Sequence, residues 1–245
     1  MNSIAQFGVS ADQIAHAAEL LRSGKLVVFP TETVYGVGAN ALDAKAVARI
    51  FEVKGRPGTS PIIVHVSSRE MIAQLASSWP EAARILADRF WPGPLTLVVP
   101  KTTEVPDIVT AGLPTVGVRM PAHPVALALI EAAQVPVAAP SANRFTGISP
   151  TIADHVRRSL GDRVDYILDG GPCQVGIEST VLSLVNEIPV LLRPGGISRQ
   201  QIEELIGLIT SLEQPLPGVH PSPGMHPRHY SPRTALYLID RKSVV

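Results

Sequence analysis

The stretch SADQIAHAAELLRSGKLVVFPTETVYG, residues 10–36, decides the fold of this 245-residue chain. Ser10 and Gln13 form the S-x-x-Q capping pattern that predicts the start of a helix, and Gly24 marks its end. Residues 26–29 form an apolar, β-branched run that predicts a strand. A helix joined to a short strand of this kind is the unit from which α/β proteins are built.

The rest of the chain continues this alternation of β-branched runs and alanine-rich amphipathic stretches. Capping patterns predict further helices that begin at Asp43, Ser67 and Ser198, and an apolar stretch predicts one more over residues 125–133. Further strands are predicted at 62–66, 95–99, 116–120, Val137, 166–168, 180–185 and 190–192. We therefore expect an α/β fold.

Composition excludes several classes of protein. Hydrophobic residues make up 45% and charged residues 17% of the chain, which is too apolar for a disordered protein. The 21 basic and 21 acidic residues give a net charge of zero, so no overall field would hold a nucleic acid. We therefore expect no strong direct binding to nucleic acid.

Cysteine usage and the N-terminus indicate a cytoplasmic protein. The single cysteine, Cys173, cannot form an internal disulfide and has no adjacent base to activate it. The first basic residue is Arg22, so there is no basic region of a secretory signal, and no run of 18 apolar residues predicts a membrane span. We expect a cytoplasmic location without membrane association.

The common nucleotide and metal motifs are absent from the sequence: there is no G-x-x-x-x-G-K-[ST], no G-x-G-x-x-G after a strand and no H-E-x-x-H. Basic and hydroxyl side chains instead cluster at strand ends and in Gly/Pro loops, where α/β proteins bind ligands. These residues are Thr31, Thr33, Lys54, Arg56, Arg119, Ser141, Asn143, Ser179, Thr180 and Arg193.

Two of these clusters have an ordinary structural interpretation as well as a functional one. Lys54 either complements the dipole at the end of its helix, with Gly55 as the C-cap, or forms an anion clamp with Arg56. Ser141 and Asn143 either form a plain turn or offer donors to a ligand.

The same holds for two polar residues within apolar strands. Arg119 is either paired with an acidic residue or holds a ligand, because an unpaired charge is costly in an apolar run. His65 is either a satisfied core residue or a ligand contact.

Eight blocks in order along the chain resemble the YrdC-like threonylcarbamoyl-AMP synthases. The blocks are FPTETVYG (29–36), KGRP (54–57), PIIVHV (61–66), WPGPLT (91–96) with VRMP (118–121), APSAN (139–143), ESTV (178–181) and SPGMHPRHYSP (222–232). The resemblance implies a single YrdC-like domain over residues 1–212, in which a twisted mixed sheet flanked by helices surrounds a concave substrate cleft. It also implies a C-terminal linker over 213–234, a possible active-site lid, and the start of a second, otherwise missing domain at 235–245.

The resemblance also implies the reaction. L-threonine, bicarbonate or CO2 and ATP would give threonylcarbamoyl-adenylate and pyrophosphate, with Mg2+ held mainly by the ATP phosphates. A tRNA threonylcarbamoyl transferase complex would then transfer the product to the adenosine beside the anticodon. A carbamate oxygen is already an anionic nucleophile, so positioned cations are sufficient catalysts.

Each block carries family site residues to this chain. Lys54 and Arg56 match catalytic cations. The residues that match threonine contacts are Thr33, His65, Arg119, Ala139 and Ser179. The residues that match or adjoin ATP positions are Arg56, Ser60, Thr115, Ser141, Asn143, Ser149, Arg193 and Tyr230.

Two other functions remain open from the sequence. One is a double-stranded RNA or ribosome-binding module, against which the zero net charge argues. The other is carbamoyl-adenylate handling as in hydrogenase maturation, against which the absence of zinc-finger cysteines and of an acylphosphatase module argues.

Overall fold

A ten-stranded mixed sheet with helices packed against it forms the frame of the protein. The computed structural model describes residues 4–211. Its helices are α1 (Ala11–Arg22), α2 (Ala44–Lys54), α3 (Glu81–Phe90), α4 (Asp107–Thr110), α5 (Pro124–Ala133), α6 (Ala153–Ser159) and α7 (Arg199–Ile206). Its strands are β1 (Val27–Phe29), β2 (Gly36–Asn40), β3 (Val64–His65), β4 (Leu95–Pro100), β5 (Thr115–Arg119), β6 (Val137–Ala138), β7 (Tyr166–Ile167), β8 (Thr180–Ser183), β9 (Val190–Arg193) and β10 (Thr210–Ser211).

The strand order brings distant blocks of the sequence side by side. The order across the sheet is β10-β9-β8-β4-β5-β3-β6-β2-β1-β7. Parallel pairs, such as β3 with β5 and β4 with β8, are interleaved with antiparallel pairs, such as β4 with β5. Strands from the first, middle and last thirds of the described chain are therefore neighbours at the centre of the sheet.

The pleat gives the central strands two different faces. In β4 the residues Leu95, Leu97 and Val99 join the main core cluster, which includes apolar residues of α1, α2, α3 and α5. Val98 instead joins a small second cluster with Ile63 on the other face. Because side chains alternate along a strand, one face is packed on helices and the other is available to form a cleft.

Local sequence patterns predict most element boundaries correctly. Ser10 caps α1 and Ser198 caps α7, each with the reciprocal bond to a glutamine three residues later. Asp43 accepts hydrogen bonds from two backbone amides at the start of α2. The sequence analysis of these three helices is confirmed.

One expectation about the segment before β4 is wrong, and one helix in this segment was not predicted. The predicted helix opened by Ser67 and Glu70 is a short 3-10 helix, Glu70–Gln74, without a side-chain cap. The full helix is α3, which the sequence analysis did not assign. Its N-cap is Pro80, which has no side-chain acceptor, so the capping pattern that identified the other helices is absent here.

The predicted linker over 213–234 and the predicted start of a second domain at 235–245 lie outside the described residues. Within residues 4–211 no helix is long and apolar enough to cross a lipid bilayer.

Candidate active site

Side chains from seven separate stretches of the sequence line one cavity on the open face of the sheet, which we call the inner cavity. Its polar and charged lining includes three arginines, a histidine and several hydroxyls. The lining residues are Thr31, Thr33, Val34, Gly36, Arg56, Ile63, His65, Arg119, Ala139, Pro140, Ser141, Glu178, Ser179 and Arg193.

His65 and Arg119 are neighbours because β3 and β5 pair in parallel with these two residues in register. His65 is buried, and its ring packs edge-on against Phe29. Burial, and then the nearby charge of Arg119, lowers the pKa of His65 to about 3. Its Nδ1 has no hydrogen-bond partner among the described residues. The cavity therefore contains a neutral imidazole with an unused polar atom.

Arg119 is paired with an acidic residue, as one of the two sequence interpretations proposed. Its Nη2 donates to Oε1 of Glu32 at 2.6 Å and its Nε donates to the Gly93 carbonyl at 3.2 Å. Both partners of the ion pair are buried. The pairing does not exclude a ligand, because Arg119 also lines the cavity.

The hydroxyls of Thr31 and Thr33 form an ordered chain. Thr31 Oγ1 donates its single proton to the Val34 carbonyl at 2.6 Å. The 2.8 Å contact between the two threonine hydroxyls must then be donated by Thr33. The Thr33 hydroxyl consequently offers acceptor lone pairs to the cavity, which suits an ammonium, amide or hydroxyl group of a ligand.

Arg193 is held at the opposite wall by the segment that precedes β8. Its guanidinium donates to the Ser179 carbonyl and to Ser179 Oγ, at 2.8 to 3.0 Å. Its Nη1 lies 3.6 Å from the carboxylate of Glu178, which also accepts a 2.8 Å hydrogen bond from Ser149. These contacts fix a cation and a carboxylate next to each other.

Lys54 joins the end of α2 to the loop after β6. Its buried Nζ donates to the carbonyls of Ser141 and Asn143, and its own carbonyl accepts from the Phe145 amide. Burial, and then the charge of Arg56, holds the pKa of Lys54 well below its ordinary range. Lys54 therefore anchors the loop that carries Ser141.

Arg56 reaches the cavity because α2 ends abruptly. Gly55 adopts the left-handed conformation with φ of 62° at the C-cap, where glycine is favoured because it has no Cβ. The Arg56 side chain is buried, and its Nη2 donates to the Pro61 carbonyl at 2.8 Å.

A second, wider cavity of about 530 Å³ adjoins the first; we call it the outer cavity. Val34, Glu178 and Arg193 line both cavities. The additional lining residues of the outer cavity are Ile148, Ser149, Gly176, Ile177, Pro194 and Gly195. Its volume lies within the range of about 300–1,000 Å³ that is usual for small-molecule sites.

Gly195 permits the close approach of two segments at this outer wall. A Cβ at this position would lie 2.4 to 2.5 Å from backbone atoms of residues 178–180. Only glycine allows the chain after β9 to pass this close to the backbone of residues 178–180.

The structure brings most of the sequence-predicted residues to these two cavities. Thr33, Arg56, His65, Arg119, Ala139, Ser141, Ser179 and Arg193 line the inner cavity, and Ser149 lines the outer one. Lys54, Ser60 and Asn143 are buried but line neither cavity. Tyr230 lies outside the described residues.

Thr115 lies apart from this group. It begins β5, whereas Arg119 ends it, so four residue steps of about 3.3 Å separate them by about 13 Å. It lines a small apolar cavity with Ile63 and Thr96. A ligand that contacted both Thr115 and Arg119 would have to be extended.

The sequence analysis did not single out Glu32 or Glu178. Both lie within the blocks that carry the resemblance, but a carboxylate gives no local sequence pattern that identifies its arginine partner. Cys173 was not expected to be a nucleophile. Burial raises the pKa of its thiol to about 12, which disfavours the reactive thiolate.

The carboxylates of the cavities are too few for a protein-built metal cage. Among residues 4–211 no group of three His, Cys, Asp or Glu side chains is placed to hold a metal ion. Glu32 is engaged by Arg119, which leaves Glu178 as the carboxylate at the boundary of the two cavities.

The fold and the site together define an α/β protein with a small, cationic inner cavity that opens into a wide, apolar outer one. Two family models match the chain. The Sua5/YciO/YrdC model, described as "Telomere recombination", matches residues 19–195, and a model described as "Threonylcarbamoyl-AMP synthase, C-terminal domain" matches residues 197–244.

Proteins named threonylcarbamoyl-AMP synthase are similar in sequence to this chain over most of its length. A threonylcarbamoyl-AMP synthase of Pyrococcus abyssi is 50% identical over 239 residues, which cover 93% of this chain and 68% of the relative. A threonylcarbamoyl-AMP synthase of Bacillus subtilis is 50% identical over 236 residues, covering 93% of this chain and 67% of the relative. The chain thus spans about two thirds of the length of these relatives.

Solved structures agree with the sequence relatives. P. abyssi Sua5 in complex with L-threonine superposes with a TM-score of 0.89 at 51% identity, covering 91% of this chain and 67% of that one. Escherichia coli YciO superposes with a TM-score of 0.68 at 25% identity, covering 79% of this chain and 94% of that one. The chain belongs to the Sua5/YciO/YrdC family, which includes the threonylcarbamoyl-AMP synthases.

Proposed function

We propose that this chain is a threonylcarbamoyl-AMP synthase, an ATP-dependent nucleotidyltransferase that makes threonylcarbamoyl-adenylate from L-threonine, bicarbonate or CO2, and ATP. The observation that carries the proposal is the convergence of Arg56, Arg119 and Arg193 with the neutral His65 in one cavity that continues into a wider one. The 50% identity to relatives of this name supports it.

The inner cavity suits threonine. Arg119 can pair with the substrate carboxylate through a charge-assisted contact. The Thr33 hydroxyl, whose proton is directed to Thr31, accepts from the substrate amine or hydroxyl. Because His65 is neutral, it adds a polar contact beside the amine without repelling it by a positive charge.

The outer cavity suits the nucleoside part of ATP. Ile148, Ile177 and Pro194 give it apolar walls, and Ser149 adds a hydroxyl at its rim. Arg193 lies at the boundary of the two cavities, where the phosphates of a nucleotide in the outer cavity would approach the amino acid in the inner one.

The reaction then needs positioning and charge compensation rather than a protein nucleophile. The neutral threonine amine attacks CO2, passes a proton to water or bicarbonate and becomes a carbamate. A carbamate oxygen attacks the α-phosphorus of ATP, and the bond from that phosphorus to the bridging oxygen breaks to release pyrophosphate. Arg56 and Arg193 stabilise the negative charge that develops on the phosphate oxygens and the leaving group.

Lys54 and Asn143 support this arrangement from behind the cavity wall. Lys54 fixes the carbonyls of Ser141 and Asn143, and Asn143 donates from Nδ2 to the carbonyls of Arg144 and Gly147 at 2.8 and 2.7 Å. We assign to both the role of shaping the 141–147 loop around the phosphates.

We propose that Mg2+ enters with ATP, held mainly by phosphate oxygens. Magnesium prefers oxygen ligands and commonly uses one or two carboxylates together with substrate phosphates. The donor set at the boundary of the cavities, Glu178 with the hydroxyls of Ser149 and Ser179, fits that preference. The bound ion would neutralise phosphate charge.

We propose that the product is used by a tRNA threonylcarbamoyl transferase complex in the cytoplasm. The product is a mixed anhydride of a carbamate and a phosphate, so it is an activated acyl donor that a transferase can use without further energy input. A partner that consumes it promptly would limit its loss to hydrolysis.

The decisive experiment is an assay of pyrophosphate release by the purified chain with ATP, Mg2+ and bicarbonate. Adding L-threonine should increase the rate strongly, and L-serine should be a poorer substrate because one methyl contact is worth about 1–3 kcal/mol. Pyrophosphate release that does not respond to threonine would overturn the proposal.

A further inference from the structure

Glu32 is a buried carboxylate within the loop that carries the proposed threonine contact Thr33. The side chain of Glu32 is 7% exposed and that of its partner Arg119 is 4% exposed. They are 87 positions apart in the chain, and the Nη2 to Oε1 distance is 2.6 Å. A buried ion pair this short stabilises the protein only when its two groups are well aligned, because a misaligned pair does not recover its desolvation cost.

The second carboxylate oxygen of Glu32 is also engaged. Its Oε2 accepts from the backbone amide of Ala122 at 3.0 Å. The Glu32 carbonyl accepts from the Val175 amide at 2.8 Å, which fixes the backbone of the same residue. The carboxylate therefore has one orientation, set by two separate segments of the chain, one at residues 119–122 and one at Val175.

The donors of Arg119 are divided between the protein and the cavity. Nε donates to the Gly93 carbonyl and Nη2 donates to Glu32, whereas Nη1 has no hydrogen bond within the described part of the chain. The guanidinium is planar and its donors lie in a fixed fork. Fixing Nε and Nη2 therefore fixes the direction in which Nη1 points.

We propose that Glu32 is a positioning residue for threonine binding: it locks the guanidinium of Arg119 so that Nη1 remains available to the substrate carboxylate. The inference rests on the proposed function, since it concerns the same inner cavity. Glu32 itself does not contact substrate; it acts through Arg119.

A purely structural role for Glu32 would give a different result. Loss of a structural contact would loosen the whole cleft and weaken threonine and ATP binding together. Loss of a positioning contact would weaken threonine binding selectively, because Arg119 lies at the inner cavity and does not line the outer one.

The test is calorimetric titration of L-threonine and, separately, of a non-hydrolysable ATP analogue into wild type and Glu32→Gln. We expect the variant to bind threonine about tenfold more weakly, a change of about 1.4 kcal/mol, and the ATP analogue within a factor of two of wild type. The matched control is Asp88→Asn, which removes an exposed carboxylate that pairs with Arg69 and Arg84; it should leave both affinities unchanged.

A double-mutant cycle with Arg119→Lys tests whether Glu32 affects threonine binding through Arg119. If Glu32 acts through Arg119, adding Glu32→Gln to Arg119→Lys should weaken threonine binding no further. Additive losses, or equal losses for threonine and the ATP analogue, would overturn the inference.

The remaining outcomes of the titrations are also decisive. If Glu32→Gln does not fold, Glu32→Asp keeps the charge with a side chain one methylene shorter, and it should show the same selective loss at smaller size. Unchanged threonine binding in either folded variant would overturn the inference alone, whereas a wild-type protein that binds no threonine would overturn the proposed function as well.

Discussion

Contacts with the protein fix the ionisable side chains in and behind the inner cavity. Arg119 is compensated by Glu32, Arg193 lies beside Glu178, and His65 is neutral. Lys54 donates two hydrogen bonds to backbone carbonyls. The cations at this site are therefore held in fixed directions rather than exposed as mobile charges, which is the preorganisation that electrostatic catalysis requires.

Replacement of Arg56 by alanine should abolish turnover. The side chain lines the inner cavity and its loss removes a proposed phosphate contact, so we expect pyrophosphate release to fall about a hundredfold or more. The Pro61 carbonyl also loses its donor, at a cost of about 1–3 kcal/mol in the free energy of unfolding. Arg69→Ala, at an exposed arginine, is the control and should retain activity. Near wild-type turnover of Arg56→Ala would show that this residue has no role in catalysis.

The stability of the protein should depend on pH through His65. Its pKa is about 3 in the folded state and 6.5 ordinarily, so between these values the unfolded state binds more protons. The free energy of unfolding therefore rises with pH across this window, by up to about 1.4 kcal/mol per pH unit. The contribution of neutral His65 to the stability is therefore lost as the pH falls from 6.5 towards 3.

The measurement for His65 is urea unfolding at pH 7 and pH 5 for wild type, His65→Gln and His155→Gln. His65→Gln should lose less stability than wild type on acidification, whereas His155→Gln, which changes an exposed histidine, should behave as wild type. Equal losses in all three proteins would contradict a buried neutral imidazole at position 65.

At the scale of elements, the end of α2 connects local backbone geometry to the site. Lys54, the last helical residue, donates to the carbonyls of Ser141 and Asn143. The left-handed Gly55 then turns the chain out of the helix, and Arg56 lines the inner cavity.

Gly55→Ala should reduce both stability and activity. A Cβ at Gly55 would meet no neighbouring atom, so the cost is the backbone strain of about 1–2 kcal/mol at positive φ. Gly161→Ala is a matched control, because Gly161 has φ of 55° and equally open surroundings. Both variants should lose similar stability in thermal unfolding, and only Gly55→Ala should lose turnover. Equal turnover of the two variants would show that the backbone conformation at the end of α2 does not affect catalysis.

At the scale of the whole molecule, the two cavities share a wall. Val34, Glu178 and Arg193 contribute to both, and the apolar side chains at the outer one are largely exposed, with Ile148 at 65% and Ile177 at 55%. An apolar wall of this kind gains binding energy when a ligand or another segment covers it.

Deleting residues 212–245 should raise the KM for ATP and leave threonine affinity nearly unchanged. The reason is that these residues include the predicted lid with Tyr230, and closure over a bound nucleotide excludes water. Tyr230→Ala should shift the KM for ATP in the same direction by a smaller factor. Steady-state kinetics with varied ATP measure both effects, and wild-type ATP kinetics in the deletion variant would exclude a lid.

The sequence predicts those parts of the fold that are encoded locally. The Ser10 and Ser198 capping boxes and the Gly55 helix end each depend on residues within four positions of one another. Where that local pattern is missing, as at the Pro80 start of α3, the helix is not predicted. Its stability comes from the burial of Ala83, Leu86 and Ala87, which is a tertiary property.

The candidate site follows the same division. The resemblance of ordered blocks identifies Thr33, His65 and Arg119 as members of one site, and the structure places all three in one cavity. No sequence pattern pairs Arg119 with Glu32 or directs Lys54 to the carbonyls of a loop almost ninety residues away.

The sequence by itself determined the α/β class, the helix ends and the types of side chain available for the site, because caps, periodicity and composition act over a few residues. Only the tertiary structure decided which cations face the cavity and which are engaged by the protein. Those contacts join residues distant in the chain, so the hydrogen bonds and ion pairs that hold the cations exist only after the sheet has assembled.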